Sequence, residues 1–301
     1  MKILTAIIAP ALVVVSAYAQ SPPPQRPRIF GLDHVSFYTT QPEGEKKLFA
    51  GLLGFAPAPP VEPGGLERYL IGVQWVGYSA APDPKATDRM DHVAFTTDNV
   101  ATLRQYLTAK SVKAGEIQER SDHSRSFLIR DPEGHPIEFV ERARANSAAS
   151  SDSSVSRHMI HAGFLVRSRE VEDRFYRDVL GFRLYWHGAD KPGTPDDWVA
   201  MQVPDGTDWL EYMLNQPEHP DLQLTGVMNH ISVGVADMKK AQAVMESHGW
   251  KAHDDEKAEV GKDGKWQLDV YDPDLSRVEL MEFKPVQKPC CNDFTGPHPA
   301  E

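Results

Sequence analysis

A short strand-like run headed by histidine occurs four times in this chain: His34-Val-Ser-Phe, His92-Val-Ala-Phe, His161-Ala-Gly-Phe and His230-Ile-Ser-Val. Two later runs close in near-copies, Asp131-Pro-Glu-Gly-His-Pro-Ile-Glu138 and Asp272-Pro-Asp-Leu-Ser-Arg-Val-Glu279. One His and one Glu mean little, but the same pair at the same place in repeated units implies that the scaffold presents them together. Each unit reads as a strand, a helix and three strands, so the pattern predicts four consecutive βαβββ modules taken as two pairs.

The stretch Ala145–Ser156, rich in Ser and Ala, divides the chain and reads as a linker. On either side the order of elements is the same. Strands are predicted at 32–38, 68–71, 74–79, 90–96, 116–119, 126–129 and 137–140, with helices ending near Leu53 and spanning 100–111. The second half repeats this, with strands at 158–166, 198–203, 209–214, 230–235, 266–270 and 278–283 and helices at 170–180 and 238–248. Gly54 and Gly181 stand where a helix C-terminus needs a left-handed residue. The expected fold class is α+β, two tandem paired-module domains (28–144 and 157–285), each a curved mixed-sheet cup with helices outside.

Met1-Lys2, an apolar run from Ile3 to Val15 and the small-x-small site Ala17-Tyr-Ala19 predict a signal peptide over 1–19, hence a secreted or periplasmic protein. That run is too short to span a bilayer. A Pro-rich leader over 20–27 follows, and residues 286–301 read as an inconsequential tail. The net charge of −11 offers no footprint for nucleic acid or an anionic membrane, and acidity alone names no partner. The adjacent Cys290 and Cys291 leave open an intermolecular bond, free thiols or metal capture.

Side chains alternate across a strand. His230, Ser232 and Gly234 therefore share one face, opposite Ile231, Val233 and Val235; Glu279 opposes Val278 and Leu280, and Glu138 opposes Ile137 and Phe139. Every candidate ligand lies on a small or polar face with an apolar face behind it. Helices should cover the apolar side, leaving the His/Glu side concave, where imidazoles and carboxylates converge on a divalent metal: Zn, Fe, Mn, Ni or Co. A lone His of this kind is more often an ordinary hydrogen-bonded residue; it is the repetition that points to metal. The halves differ, because Trp209-Leu-Glu211 aligns with Trp75-Val-Gly77. The second half offers His161, Glu211, His230 and Glu279; the first offers only His34, His92 and Glu138.

These features resemble the vicinal oxygen chelate superfamily (glyoxalase I, extradiol dioxygenases, fosfomycin-resistance and bleomycin-binding proteins) from about Ile29 to Phe283. The resemblance rests on the His-led strands, the helix end Phe175-Tyr-Arg-Asp-Val-Leu-Gly-Phe182 and the two Asp-Pro closings. It implies a metal that chelates two neighbouring substrate oxygens, with His161, Glu211, His230 and Glu279 as ligands and Glu211 or Glu279 as catalytic base of a glyoxalase-like lyase or isomerase. Two alternatives stand beside it: an Fe(II) ring-cleaving dioxygenase, and a non-enzymatic small-molecule binder. The dioxygenase pattern carries a Tyr where this chain has Asp269. Some four-module members swap modules, which would join His161 and Glu211 to His92 and Glu138. The remaining histidines (His123, His135, His158, His187, His219, His248, His253 and His298) are expected to be solvated.

Overall fold

The computed structural model describes residues 25–61, 64–143, 153–252 and 257–301. The expected signal peptide, residues 20–24 of the leader, residues 145–152 of the linker and His253 lie outside the described residues. Among the described residues no helix is long and apolar enough to cross a membrane.

The first half contains β1 (Ile29–Thr39), β2 (Ala56–Ala58), β3 (Gly65–Ile71), β4 (Gln74–Ala80), β5 (Met90–Thr97), β6 (Gln118–Glu119), β7 (Arg125–Arg130) and β8 (Pro136–Glu141). They form one mixed sheet in the order β2-β3-β4-β1-β5-β8-β7-β6. The second half contains β9 (Met159–Leu165), β10 (Arg183–Gly188), β11 (Trp198–Gln202), β12 (Trp209–Met213), β13 (His230–Val235), β14 (Glu259–Val260), β15 (Trp266–Tyr271) and β16 (Arg277–Glu282). Its order, β10-β11-β12-β9-β13-β16-β15-β14, is the same. In each sheet the two His-led strands are antiparallel neighbours, β1 with β5 and β9 with β13. Modules therefore pair within each half, which settles the pairing the sequence left open.

The helices are α1 (Pro42–Lys46, running on as a π-helical turn over Lys47–Leu52), α2 (Val100–Ala109), α3 (Arg169–Tyr176), α4 (Leu222–Met228) and α5 (Met238–Ser247). Gly54 and Gly181 take φ of 72° and 81° just past the first and third, as a helix end followed by a reversal requires. Strand β10 was not legible in sequence. A register shift between Leu184 and Trp186 breaks its period of two, so the consecutive Tyr185 and Trp186 are both buried and no alternation remains to read.

The apolar strand faces of both halves, including Val35, Phe37, Val93, Phe95, Phe164, Ile231, Val233 and Leu280, belong to one continuous core. Polar contacts lock the halves as well. Gln74 donates from Nε2 to Leu32 O (3.1 Å) and Met159 O (2.9 Å), and its Oε1 accepts from Met159 N (2.6 Å). The two Asp-Pro turns clasp reciprocally. Asp274 accepts from Thr40 N (2.6 Å) and Thr40 Oγ1 (2.7 Å), and Glu133 accepts from Ser168 N (2.7 Å) and Arg167 N (2.8 Å).

Beneath each turn a glutamate is buried beside other acids. Burial, followed by the charge of Asp272, pushes the Glu45 carboxyl up to about 9. Burial, followed by the charge of Asp131, pushes Glu172 up to about 8. One oxygen of each accepts no hydrogen bond, so ionisation in place would strand a charge. Such a carboxyl holds its proton in the folded state and loses it near 4.5 when unfolded. These groups therefore make stability decline as pH rises through the window between about 4.5 and their folded-state values. Glu172→Gln and Glu45→Gln should each raise stability at pH 9 by roughly 1 kcal/mol or more relative to pH 5. Urea unfolding of both variants and the parent at the two pH values checks this; equal parent stability at both would contradict it.

Candidate metal centre in the second sheet

Strand pairing builds the site from two rows of neighbours across the second sheet. One row runs Glu211, Gly163, His230; the next, two residues along and on the same face, runs Trp209, His161, Ser232, Glu279. Ligand-type residues thus alternate with Gly163 and Ser232, and the small residues leave room for their neighbours' side chains. A Cβ at Gly163 would lie 2.2 Å from His230 Cε1.

The Nε2 atoms of His161 and His230 approach to 3.0 Å. Glu211 Oε2 lies 3.6 Å from the first and 3.5 Å from the second, so His161, Glu211 and His230 each offer one atom within 4.8 Å of the others. Glu279 joins through His161, with Oε2 3.3 Å from Nε2. Both imidazoles are fully buried. Burial holds both below the usual histidine range, reinforced at His161 by His230 and at His230 by Arg277, so they are neutral and suited to metal. His230 donates from Nδ1 to Met228 O (2.8 Å), which leaves the lone pair on Nε2, pointing into the group. His161 stacks on Trp209, ring centroids 4.6 Å apart, and its Nδ1 has no hydrogen-bond partner among the described residues. Burial pushes Glu279 well above the usual carboxylate range, against the opposing pull of Arg277.

Three groups here escaped sequence reasoning. Arg277 donates from Nη2 to His230 Nε2 at 2.9 Å, the nitrogen a metal would use, so ligation requires the guanidinium to withdraw. Its parity with Glu279, two residues on in β16, was the signal available. Lys265 is fully buried with Nζ 4.5 Å from the Trp209 ring and 5.2 Å from Phe294, and burial lowers it to about 8. Phe294 comes from the tail, which is not inconsequential. Thr295 N donates to Tyr185 O (2.9 Å), Gln202 Nε2 to Pro297 O (2.9 Å), and Asn292 Nδ2 to His187 O (3.0 Å). Cys290 and Cys291 are joined to each other in this segment, in place of the intermolecular bond, free thiols or metal capture expected from sequence. A cavity of about 410 Å³ opens above Glu211, Glu279 and Arg277, with Trp198, Trp209 and Phe294 in its walls.

The first sheet repeats part of this. His34 and His92 bring their Nε2 atoms to 3.0 Å, and Glu138 Oε2 lies 3.2 and 3.4 Å from them. Asp33 and Asp91 engage the two Nδ1 atoms at 2.6 and 3.1 Å, and Trp75 stacks on His34 at 3.8 Å. At Gly77, opposite Glu211 in the alignment, a Cβ would meet the Trp75 ring at 2.4 Å, so a fourth ligand has no space. Several histidines expected in solvent are engaged instead: His135 with Asp131 (2.7 Å), His158 with Asp208 (2.8 Å), His187 with Asp196 (2.9 Å) and His298 with Tyr185 (2.5 Å). A third convergent group, Asp131, His135 and Glu172, belongs to the clasp between halves.

Residues 159–280 match the sequence model of the Glyoxalase/Bleomycin resistance protein/Dioxygenase superfamily. No curated protein matches the chain in sequence. Among solved structures, a variant of homoprotocatechuate 2,3-dioxygenase from Brevibacterium fuscum is similar with a TM-score of 0.66 at 15% identity, over 92% of this chain and 75% of that one. The 2,3-dioxygenase LapB from Pseudomonas sp. KL28 gives a TM-score of 0.63 at 15% identity, over 88% and 96%. At these identities the likeness shows a shared fold.

The crowding at Gly163 makes it a probe of the site. Gly163→Ala should tilt His230 away and weaken Co²⁺ binding by about 10–100-fold, the scale on which misoriented ligands act, at an overpacking cost of about 1–3 kcal/mol in stability. Visible-absorption titration reads this; parent-like affinity would show that His230 takes no part.

Proposed function

We propose that this chain, whose second half belongs to the Glyoxalase/Bleomycin resistance protein/Dioxygenase superfamily, is a metal-dependent enzyme whose working site is the cup of the second sheet. The donors fit a divalent ion by chemistry and placement: two neutral imidazoles and two glutamates on one concave face, with Glu279 Oε2 accepting no hydrogen bond among the described residues. Such an ion, when bound, supplies Lewis-acid polarisation of two adjacent substrate oxygens.

The reaction the site suits best is lyase or isomerase chemistry of the glyoxalase type, and the observation that carries this reading is the second carboxylate. Two histidines and one glutamate suffice to hold a metal; with both Glu211 and Glu279 on the face, one can accept and return a proton at the substrate carbon beside the held oxygens. A volume of about 410 Å³, walled by aromatic and by charged side chains, admits only a small molecule. With residues 1–19 read as a signal peptide, the enzyme works outside the cytoplasm.

Ring cleavage of a catechol with Fe(II) is the second reading, favoured by the dioxygenase fold neighbours, one of which was solved in complex with 3,4-dihydroxyphenylacetate. Asp269 weighs against it. Its carboxylate lies 3.4 Å from Arg277 in the cavity wall, where the dioxygenase pattern would place a tyrosine, and Tyr271 is exposed.

Elemental analysis of purified parent, His230→Ala and Glu279→Ala tests the site. Both variants should lose metal, and unchanged content in both would remove it. Oxygen uptake with catechols then separates the two chemistries. We expect none above background, and robust iron-dependent uptake would replace the first reading with the second.

A further inference from the structure

The two sheets share a topology and most of a ligand set, and the cavity of about 410 Å³ lies over the second. In the first, Arg120 sets its Nη2 2.5 and 2.6 Å from the two oxygens of Glu138, the carboxylate whose Oε2 also faces His34 and His92. The Arg120 side chain is 9% exposed, and burial of such a pair with charge-assisted hydrogen bonds makes it costly to separate.

Strand register identifies the matching residue of the second sheet. Gln118 pairs with Ser126, and Ser126 with Val140, two residues after Glu138. Glu259 pairs with Gln267, and Gln267 with Met281, two residues after Glu279. Arg120 N donates to Ser124 O (2.9 Å), and Gly261 N donates to Lys265 O (2.9 Å), closing the same turn. Arg120 and Gly261 therefore occupy one structural position. Gly261 lines the cavity, and the nearest atoms a Cβ there would meet are those of the Gln267 amide, at 2.3 Å.

Arg277 reaches the second set as well, but through one hydrogen bond to a neutral imidazole (2.9 Å), whereas Arg120 contacts both oxygens of a carboxylate. We propose that Arg120 is a resident cation that occupies the first His–His–Glu set in place of a divalent metal ion, and that the arginine-to-glycine difference between positions 120 and 261 decides which cup takes one. The first set is thus a latent metal site for an ion of the Co²⁺ or Zn²⁺ class. Its imidazoles are already oriented for ligation by Asp33 and Asp91, and it is locked by its own chain. The inference draws on the proposed metal chemistry of the second sheet only for the comparison between cups, and the measurement keeps the two apart.

The test is Co²⁺ titration, followed by visible absorption, of four full-length proteins: parent, Arg120→Gly, Gly261→Arg and the double exchange. The Arg120→Gly protein should bind about one ion more per chain than the parent, and His92→Ala added to it should remove that ion. Gly261→Arg should lose the ion of the second cup, and the double exchange should retain one ion, sensitive to His92→Ala rather than His230→Ala. If the parent binds no Co²⁺ and Arg120→Gly binds one, the latent site stands and the reading of the second sheet falls. A parent whose two cups load equally, or a folded Arg120→Gly protein with parent stoichiometry, would overturn the proposal. Should Arg120→Gly fail to fold, a folded Gly261→Arg protein that keeps the parent's ion would overturn it equally.

Discussion

The two-residue alternation of a β-strand is the constraint on which the rest of this structure depends. In β1, β5, β9 and β13 it sends histidine to one face while Val, Ile and Phe go to the other. The apolar faces then merge into one core shared by both halves, which fixes the strands rigidly enough for imidazole nitrogens from different strands to meet at 3.0 Å. A one-residue slip in any of these strands would exchange the faces, burying imidazole in the core and opening Val or Ile to the cup.

Joining the halves sets a second condition. The Asp-Pro turns that precede Glu138 and Glu279 also reach across and accept backbone protons from the opposite half. The segment that delivers a ligand is thereby the segment that holds the domains together. Placing the acidic turns over α1 and α3 buries Glu45 and Glu172 among like charges, so the junction works best with those carboxyls protonated.

Within that shared frame the halves diverge by a few side chains. Gly77 against Glu211, Arg120 against Gly261, and a tail that adds Phe294 to one cup set the two concave faces apart. None of these changes touches the strand order. The scaffold tolerates them because they fall on the concave face, where no core packing is lost.

Local pattern determined the module count, the mixed-sheet class and the ligand candidates, since alternation, helix-ending glycines and repeated Asp-Pro closings are properties of neighbouring residues. His34, His92, Glu138, His161, Glu211, His230 and Glu279 could all be named from parity and repetition alone. Strand β10 could not, because a bulge erased its period, and the engaged states of His135, His158, His187 and His298 could not, because their partners lie elsewhere in the chain or outside any periodic element. Only the tertiary structure decided that modules pair within each half, that Arg277 sits on His230, that Lys265 lies caged by aromatics and that Arg120 engages Glu138 in one cup while Gly261 lines the cavity of the other. Those outcomes turn on distances between residues far apart in sequence, set by which strands pair and how deeply each side chain is buried, and no local period encodes them.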